Sequence, residues 1–253
     1  MIKKWLQAAL DLFWPPVCAT CPRPLPLRDD QGDPAAHFCP ECLATVARMP
    51  AAACPLCARP FYNTASHVCG DCLKNPPPYA ARSALIYQGA VAHSIARLKY
   101  KGDLSQVPTL AALAAPALVQ PLAPSEPIDA IIPLPLSPRR LAQRGFNQAT
   151  ELARTLYRPW RAKMARIDER LLARPADGDL HLAGLSGASR RQAIRGCFQA
   201  PAPSLIQGAS LLLFDDVLTT GATAGEAART LLEAGAGRVT LATVARAVMR
   251  GWQ

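Results

Sequence analysis

The sequence predicts an α/β protein with a parallel sheet, preceded by a small cysteine-rich metal-binding module. Eight of the nine cysteines lie in four C-x-x-C pairs before residue 73. After residue 79, short apolar runs alternate with amphipathic stretches of helical period. One apolar run ends in two aspartates and a loop of threonine, glycine and alanine. The 253 residues suffice for one large domain and one small module.

Residues 1–16 predict a short amphipathic helix. Apolar residues recur there at helical spacing after a basic start, but Asp11 interrupts them and two prolines follow. A cleavage site of small residues is missing, which argues against a signal peptide. The apolar face can pack on the protein, which we favour, or lie on a membrane surface. No window has the roughly 18 apolar residues of a membrane span, so we expect a cytoplasmic protein, with peripheral association at the inner face of the membrane left open.

The cysteine pairs of residues 17–78 predict a double zinc ribbon. Two thiolates separated by two residues can bind one tetrahedral metal, and two such knuckles complete a four-cysteine zinc site. A disulfide framework needs an oxidising compartment, and a thioredoxin-like motif needs one pair at a strand-to-helix turn, so structural zinc is favoured. The number of zinc ions, one or two, and the pairing of the knuckles stay open. The predicted ligands are Cys18, Cys21, Cys39, Cys42, Cys54, Cys57, Cys69 and Cys72, with His37 and His67 as substitutes close to the pairs.

The prolines at 76–78 mark the boundary to a second domain over residues 79–253. Its apolar runs predict strands at 83–89, 128–134, 211–216 and 238–245. Its periodic stretches predict helices at 91–102, 137–143, 147–156 and 225–237, the second and third capped by Ser137 and Asn147. Strands that alternate with helices predict a parallel sheet with helices on both faces. Cys197 is expected to be a small core residue.

The stretch LLLFDDVLTTGAT, residues 211–223, predicts a ligand site. A buried strand over 211–214 would place Asp215 and Asp216 at its carboxyl end, where open α/β sheets bind ligands. Backbone N–H groups of a loop that enters a helix at Thr223 or the next residue can bind a phosphate. The two carboxylates would repel that phosphate and should face hydroxyls or a metal. A ribose 5-phosphate fits both parts of the site, because its hydroxyls can face the carboxylates while its phosphate lies in the loop. A P-loop is excluded, because none of the six lysines follows a glycine.

The net charge of +10 is concentrated in one part of the chain. Residues 1–80 hold seven basic against six acidic residues, whereas residues 139–195 hold thirteen against five. Such a cluster favours phosphate-bearing partners. For any single arginine, a solvated cation on a helix surface remains the alternative.

Residues 211–223 resemble the phosphoribosyl pyrophosphate (PRPP) loop of type I phosphoribosyltransferases. Together with the cysteine knuckles, LKYKGD at 98–103 and IIPLPLSPRRLAQRGFNQATELA at 131–153, they make the chain resemble the competence protein F (ComF) family over almost its whole length. The resemblance implies a type I phosphoribosyltransferase-like fold that binds PRPP, with Mg²⁺ if the protein is active. It also implies a role in DNA uptake during natural transformation, with single-stranded DNA and a competence helicase as partners.

The resemblance further implies roles for individual residues. Asp215 and Asp216 would bind the ribose hydroxyls, and the loop 133–138 would contact pyrophosphate. The 5-phosphate would lie among Thr219, Thr220, Gly221, Ala222 and Thr223. The diphosphate or a nucleic-acid backbone would lie near Lys99, Arg139, Arg140 and Arg144, although the Lys99 stem can also simply pack beside Tyr100.

The sequence departs from the family pattern in the segment that resembles a hood over the acceptor base. Leu182 replaces a glutamine there and Ala193 an asparagine, whereas Arg190, Gly196 and Phe198 are kept. No catalytic residue is assigned. Two functional classes follow: a PRPP-binding protein of DNA uptake, and an active phosphoribosyltransferase of nucleotide metabolism with an unknown base or amine acceptor.

Overall fold

The computed structural model describes residues 16–25, 37–62, 65–119, 127–157, 166–175 and 194–248. The predicted amphipathic helix, apart from residue 16, and the hood residues Leu182, Arg190 and Ala193 lie outside these ranges. The described residues form an α/β fold around a five-stranded sheet in which all strands are parallel, in the order β1-β5-β4-β2-β3. The strands are β1 Ala80–Ile86, β2 Ala130–Pro133, β3 Arg166–Ile167, β4 Ser210–Leu218 and β5 Arg238–Arg246.

The four helices predicted in the second domain are present. The described helices are α1 Pro40–Leu43, α2 Gly70–Lys74, α3 Gly89–Lys101, α4 Gln106–Leu118, α5 Pro138–Arg144, α6 Gln148–Tyr157 and α7 Ala222–Glu233. Ser137 caps α5, since its side chain accepts a hydrogen bond from the N–H of Arg140, and the Asn147 side chain accepts one from the N–H of Ala149. The sequence did not predict α4, because Pro108 and Pro116 interrupt its helical pattern.

Helices cover both faces of the sheet, as the predicted fold class requires. Alternate residues of β4 point to opposite faces. Leu212 and Phe214 belong to one apolar core, which includes buried residues of α3, α4 and α6. Leu211 and Leu213 belong to a second core, which includes buried residues of α7. Cys197 is buried in the second core, as predicted.

The cysteine-rich module packs directly against the sheet. The N–H of Met49 donates to the carbonyl of Ala84 at 3.0 Å, and the N–H of Ile86 donates to the carbonyl of Ala47 at 2.8 Å, so residues 47–49 run along the edge strand β1. Phe38 is buried in the first core. None of the helices in the described ranges is long and apolar enough to cross a membrane.

Candidate functional site

The eight paired cysteines form two separate clusters. The four Sγ atoms of each cluster lie within 4.8 Å of one another. Sγ–Sγ distances of 3.8 Å between Cys21 and Cys39 and 3.7 Å between Cys57 and Cys69 match the edge of about 3.8 Å of a tetrahedron with Zn–S bonds of about 2.3 Å. The residues therefore fit two Zn²⁺ ions, and the first knuckle pairs with the second and the third with the fourth. The first cluster is Cys18, Cys21, Cys39 and Cys42, and the second is Cys54, Cys57, Cys69 and Cys72.

The two clusters are built in the same way. The N–H of Cys39 donates to Sγ of Cys18, and the N–H of Cys69 donates to Sγ of Cys54, both at 3.4 Å. Burial raises the pKa of the Cys18 thiol, but hydrogen bonds from backbone groups, first that of Thr20, outweigh burial and lower the pKa to about 6. The pKa of Cys54 is lowered to about 7 by the same balance. At Cys18 and Cys54 these environments favour the thiolate, which is the form that binds metal. Burial and the neighbouring cysteines raise the pKa values of Cys42, Cys57 and Cys72.

An internal repeat underlies this similarity. The pattern C-x-x-C-x-R-P occurs at 18–24 and again at 54–60. In each copy an antiparallel bridge joins the residue before the first cysteine to the proline that ends the pattern, Val17 to Pro24 and Ala53 to Pro60. The repeat could have shown from sequence that there are two equivalent ribbons. His67 stacks on Phe61 with ring centres 3.9 Å apart, and it is not part of the cysteine clusters.

Asp215 and Asp216 lie inside β4, which continues to Leu218. The predicted strand end at residue 216 was therefore wrong. Pairing explains the difference: β5 pairs with β4 as far as Leu218, whereas the last partner in β2 is Pro133, opposite Phe214. Both aspartates thus lie beyond the carboxyl end of β2, at the edge of the sheet where parallel strands bind ligands.

Asp216 forms a buried ion pair with Lys99. The Nζ–Oδ2 distance is 2.5 Å, and only 2% of the aspartate is exposed. Burial raises the pKa of Asp216, but the Lys99 ammonium outweighs burial and holds the pKa below its ordinary value. Burial conversely lowers the pKa of Lys99, and Asp216 and Asp215 more than restore it. Lys99 is thus held at the carboxyl edge of the sheet by an aspartate.

The pKa of Asp215 is shifted in the opposite direction from that of Asp216. Burial, followed by the charge of Asp216, raises its pKa well above the ordinary carboxyl value. Its Oδ1 accepts a hydrogen bond from the N–H of Asp216 at 2.8 Å, and the side chain remains partly exposed. A metal ion or a hydroxyl donor that reaches Asp215 would stabilise its charged form.

Helices α5 and α6 bring further polar groups to the same place. Arg144 donates through Nη1 to Oε1 of Gln148 at 2.8 Å, and the buried Gln148 helps to lower the pKa of Asp216. The Arg144 guanidinium lies 5.9 Å from the ring centre of Tyr100. Lys99 and Arg144 therefore both lie close to Asp216, the first through a direct ion pair and the second through Gln148. Gln148 was missed from sequence, since it looks like an ordinary residue of the first helical turn.

The other two predicted arginines lie on α5. Arg139 is exposed and Arg140 is half-buried. The described contacts do not join either side chain to the Lys99–Asp216 pair, so these two arginines contribute charge to the surface beside it.

The loop after β4 leads directly into α7. Thr219 and Thr220 are exposed, and Gly221 has φ +76°, so α7 begins at Ala222, three residues before the predicted start of the periodic segment and one before Thr223. A Cβ atom on Gly221 would lie 2.4 Å from Oη of Tyr79. Tyr79, which sequence reasoning missed, therefore packs against the tightest point of the loop.

A cleft of about 880 Å³ is lined by both the second cysteine cluster and this loop. Thr219, Thr220 and Gly221 of the loop and Arg59 and Lys74 of the second ribbon line this cleft. Five basic side chains and two acidic ones line the cleft, and the two acidic side chains are paired with Arg59 and Arg229.

Together, the parallel sheet, the loop at its carboxyl edge and the two cysteine clusters define an α/β protein with an N-terminal double zinc ribbon. Residues 9–73 match the model of the double zinc ribbon domain family. The DNA utilization protein YhgH of Escherichia coli strain CFT073 is 33% identical over 236 residues, which are 89% of this chain and 94% of that protein.

Two competence proteins are also similar. Competence protein ComFC of Bacillus subtilis is 26% identical, over 80% of each chain. The ComFC protein of Streptococcus pneumoniae is 27% identical, over 79% of this chain and 83% of that protein. The chain belongs to the competence protein F family, which includes these DNA utilization and competence proteins, as its motifs predicted.

Proposed function

We propose that the protein binds PRPP or a ribose phosphate at the carboxyl edge of β4 and acts in DNA uptake. The observation that carries this proposal is the succession of Asp215, Asp216 and the loop 219–223 within nine residues, at the edge of a parallel sheet and at the start of α7. The names of the relatives, DNA utilization protein and competence protein, support the biological setting. In this setting the protein works at the cytoplasmic face of the membrane, beside a helicase.

Each group has a role in this proposal. The amides of residues 219–223 and the threonine hydroxyls bind the 5-phosphate. Asp215 accepts hydrogen bonds from the ribose hydroxyls, and its carboxylate would also help to hold a Mg²⁺ ion, which would offset the negative charge of the pyrophosphate. Lys99 keeps Asp216 charged and in place, and Arg144 adds positive charge toward the pyrophosphate.

Titration calorimetry of the purified protein with PRPP and Mg²⁺ tests the site. We expect Asp215→Asn to weaken binding at least about tenfold, because a charge-assisted hydrogen bond of about 1.5 kcal/mol or more is lost. Glu233→Gln, at the far end of α7, is the control and should leave the affinity unchanged. A wild-type protein that binds no PRPP would contradict the proposal.

Single-stranded DNA is the second proposed ligand, and the basic surface on α5 supports it. Phosphate contacts make binding fall with salt, with a slope of about 0.7 per contact for single strands. We expect Arg139→Ser with Arg140→Ser to weaken binding and to reduce the slope by about 1 to 1.5. The control is Arg154→Gln, because Glu169 already accepts from the Arg154 guanidinium at 2.7 Å. A salt slope equal to that of the wild type would contradict the assignment of these two arginines.

The alternative is an active phosphoribosyltransferase of nucleotide metabolism that uses a base or an amine as acceptor. Release of pyrophosphate on addition of an acceptor, and its loss in Asp215→Asn, would favour this alternative.

A further inference from the structure

Arg246, the last residue of β5, joins the second ribbon to the loop after β4. Its side chain is buried, with 3% of the residue exposed. Nε donates to the carbonyl of Cys57 at 2.9 Å, in the third knuckle. Nη1 donates to the carbonyls of Leu218 at 2.9 Å and Thr219 at 2.5 Å, and to that of Ala247 at 2.9 Å. The guanidinium of Arg246 is thus hydrogen-bonded both to the backbone of Cys57, a predicted zinc ligand, and to the backbone of Thr219, the first residue of the loop.

The chemistry of arginine suits this position. The guanidinium is planar and holds its donors in a fixed fork, so two chain segments bonded to it cannot move independently. A Zn²⁺ ion with four thiolates carries a net charge of about −2, and Arg246 places a positive charge beside that cluster. Tyr79 reinforces the connection, since it is buried with its hydroxyl against Gly221 and also lines the cleft.

The first cysteine cluster has a different place in the fold. Cys18 and Cys39 belong to the core on the side of α3 and α4. The segment after α1 contacts the start of α3, where Thr45 Oγ1 accepts from the N–H of Ala90 at 2.9 Å. None of the cleft-lining residues of the described structure comes from this first cluster, whereas Cys57, Cys69 and Cys72 of the second cluster line the cleft with the loop.

We propose that Arg246 is a positioning residue that couples the second zinc ribbon to the loop 219–223, so that loss of zinc from the second cluster, and not from the first, releases this loop. The consequence for ligand affinity rests on the proposed function, whereas the coupling itself does not. The second ribbon is then a part of the binding site, and the first ribbon is a support for the helical layer.

Hydrogen exchange of the full, zinc-loaded chain tests the coupling without any ligand. The readout is the exchange rate of amides 219–224, compared with that of β4. We expect Arg246→Met and Cys57→Ser to accelerate loop exchange at least about tenfold. Arg238→Met is the matched control at the opposite end of β5, where its Nη2 donates to Ser210 Oγ at 2.9 Å, and it should leave loop exchange unchanged. Cys21→Ser, in the first cluster, should also leave it unchanged.

Arg246→Lys is a second variant that distinguishes loss of the contact from general unfolding of the chain. Lysine keeps the charge and an apolar stem but lacks the fork, so loop exchange should lie between that of the wild type and that of Arg246→Met. Unchanged loop exchange in folded Arg246 variants, or equal acceleration in Cys21→Ser and Cys57→Ser, would overturn the proposal. PRPP affinity, measured in parallel, should fall at least about tenfold in Arg246→Met. If the wild type binds no PRPP while the exchange pattern holds, the proposed function fails and the coupling stands.

Discussion

Asp216 depends on Lys99 for its charge. If the ammonium is removed, a carboxylate that is 2% exposed stays buried without its cation. Lys99→Met should therefore lower the free energy of unfolding by about 3 kcal/mol or more, as breaking a buried pair does. Urea denaturation measures this, with the exposed Lys101→Met on the same helix as control, expected within about 0.5 kcal/mol of the wild type. Equal loss in both variants would contradict a specific role of the pair.

The same pair predicts a pH dependence. Lys99 lowers the pKa of Asp216 in the folded state, so this group contributes stability above the ordinary carboxyl pKa of about 3.9 and loses it as the pH falls. In Lys99→Met, the hydrogen bonds of Asp216 with Asp215 and Gln148 remain, but the ammonium no longer offsets the burial of the carboxylate, and protonation then relieves the cost of that burial. The difference in stability between wild type and variant should therefore narrow from pH 7 to pH 3. A difference that widens toward acid would contradict this assignment.

Gly221 should tolerate no side chain. Its φ of +76° costs an L-residue about 1 kcal/mol or more, and a Cβ would lie 2.4 Å from Oη of Tyr79. Gly221→Ala should thus destabilise the protein and weaken ligand binding. Gly225→Ala, four residues on in α7 with open space around its Cβ, should stabilise by up to about 1 kcal/mol. Tyr79→Phe should restore part of the loss in a double-mutant cycle, and strict additivity would refute the contact.

At the scale of elements, each ribbon is an independent metal site. Elemental analysis should find two zinc ions per chain, because the two clusters share no ligand. Cys18→Ser and Cys54→Ser should each reduce this by about one ion and lower the melting temperature, since metal binding contributes to folding. A loss of both ions in either variant would show that the two ribbons fold as one unit.

The sequence predicted most elements but not their extent. Apolar runs identify β4 and β5, yet β4 extends through two aspartates because β5 continues to pair with it. Helix α4 forms despite Pro116, since its buried side, which includes Leu110 and Leu113, packs between the sheet and α6. Pro108 lies in the first turn, where a proline removes no helical hydrogen bond. In both cases tertiary pairing or packing outweighs the local preference of the residues.

At the scale of the whole molecule, the cysteine-rich module covers one edge of the sheet. Residues 47–49 bond to β1 and cover an edge strand, and Arg48 donates to the carbonyl of Leu113 in α4 at 3.0 Å. A chain that lacks residues 1–78 should therefore melt at least about 8 °C lower and aggregate through the uncovered edge. Calorimetry and size-exclusion chromatography measure these effects. A truncated chain that melts with the full chain would show that the domains are energetically separate.

By itself, the sequence determined the α/β class, the four metal-binding knuckles and the loop after β4, because each is written in residues close together in the chain. The tertiary structure decided which knuckles pair, that Lys99 meets Asp216, and that Arg246 meets Cys57. The C-x-x-C-x-R-P repeat indicates the pairing of the knuckles, whereas the two side-chain contacts join residues far apart in sequence that no local periodicity or spacing connects. They arise only when parallel strands and their helices bring distant residues to one edge of the sheet.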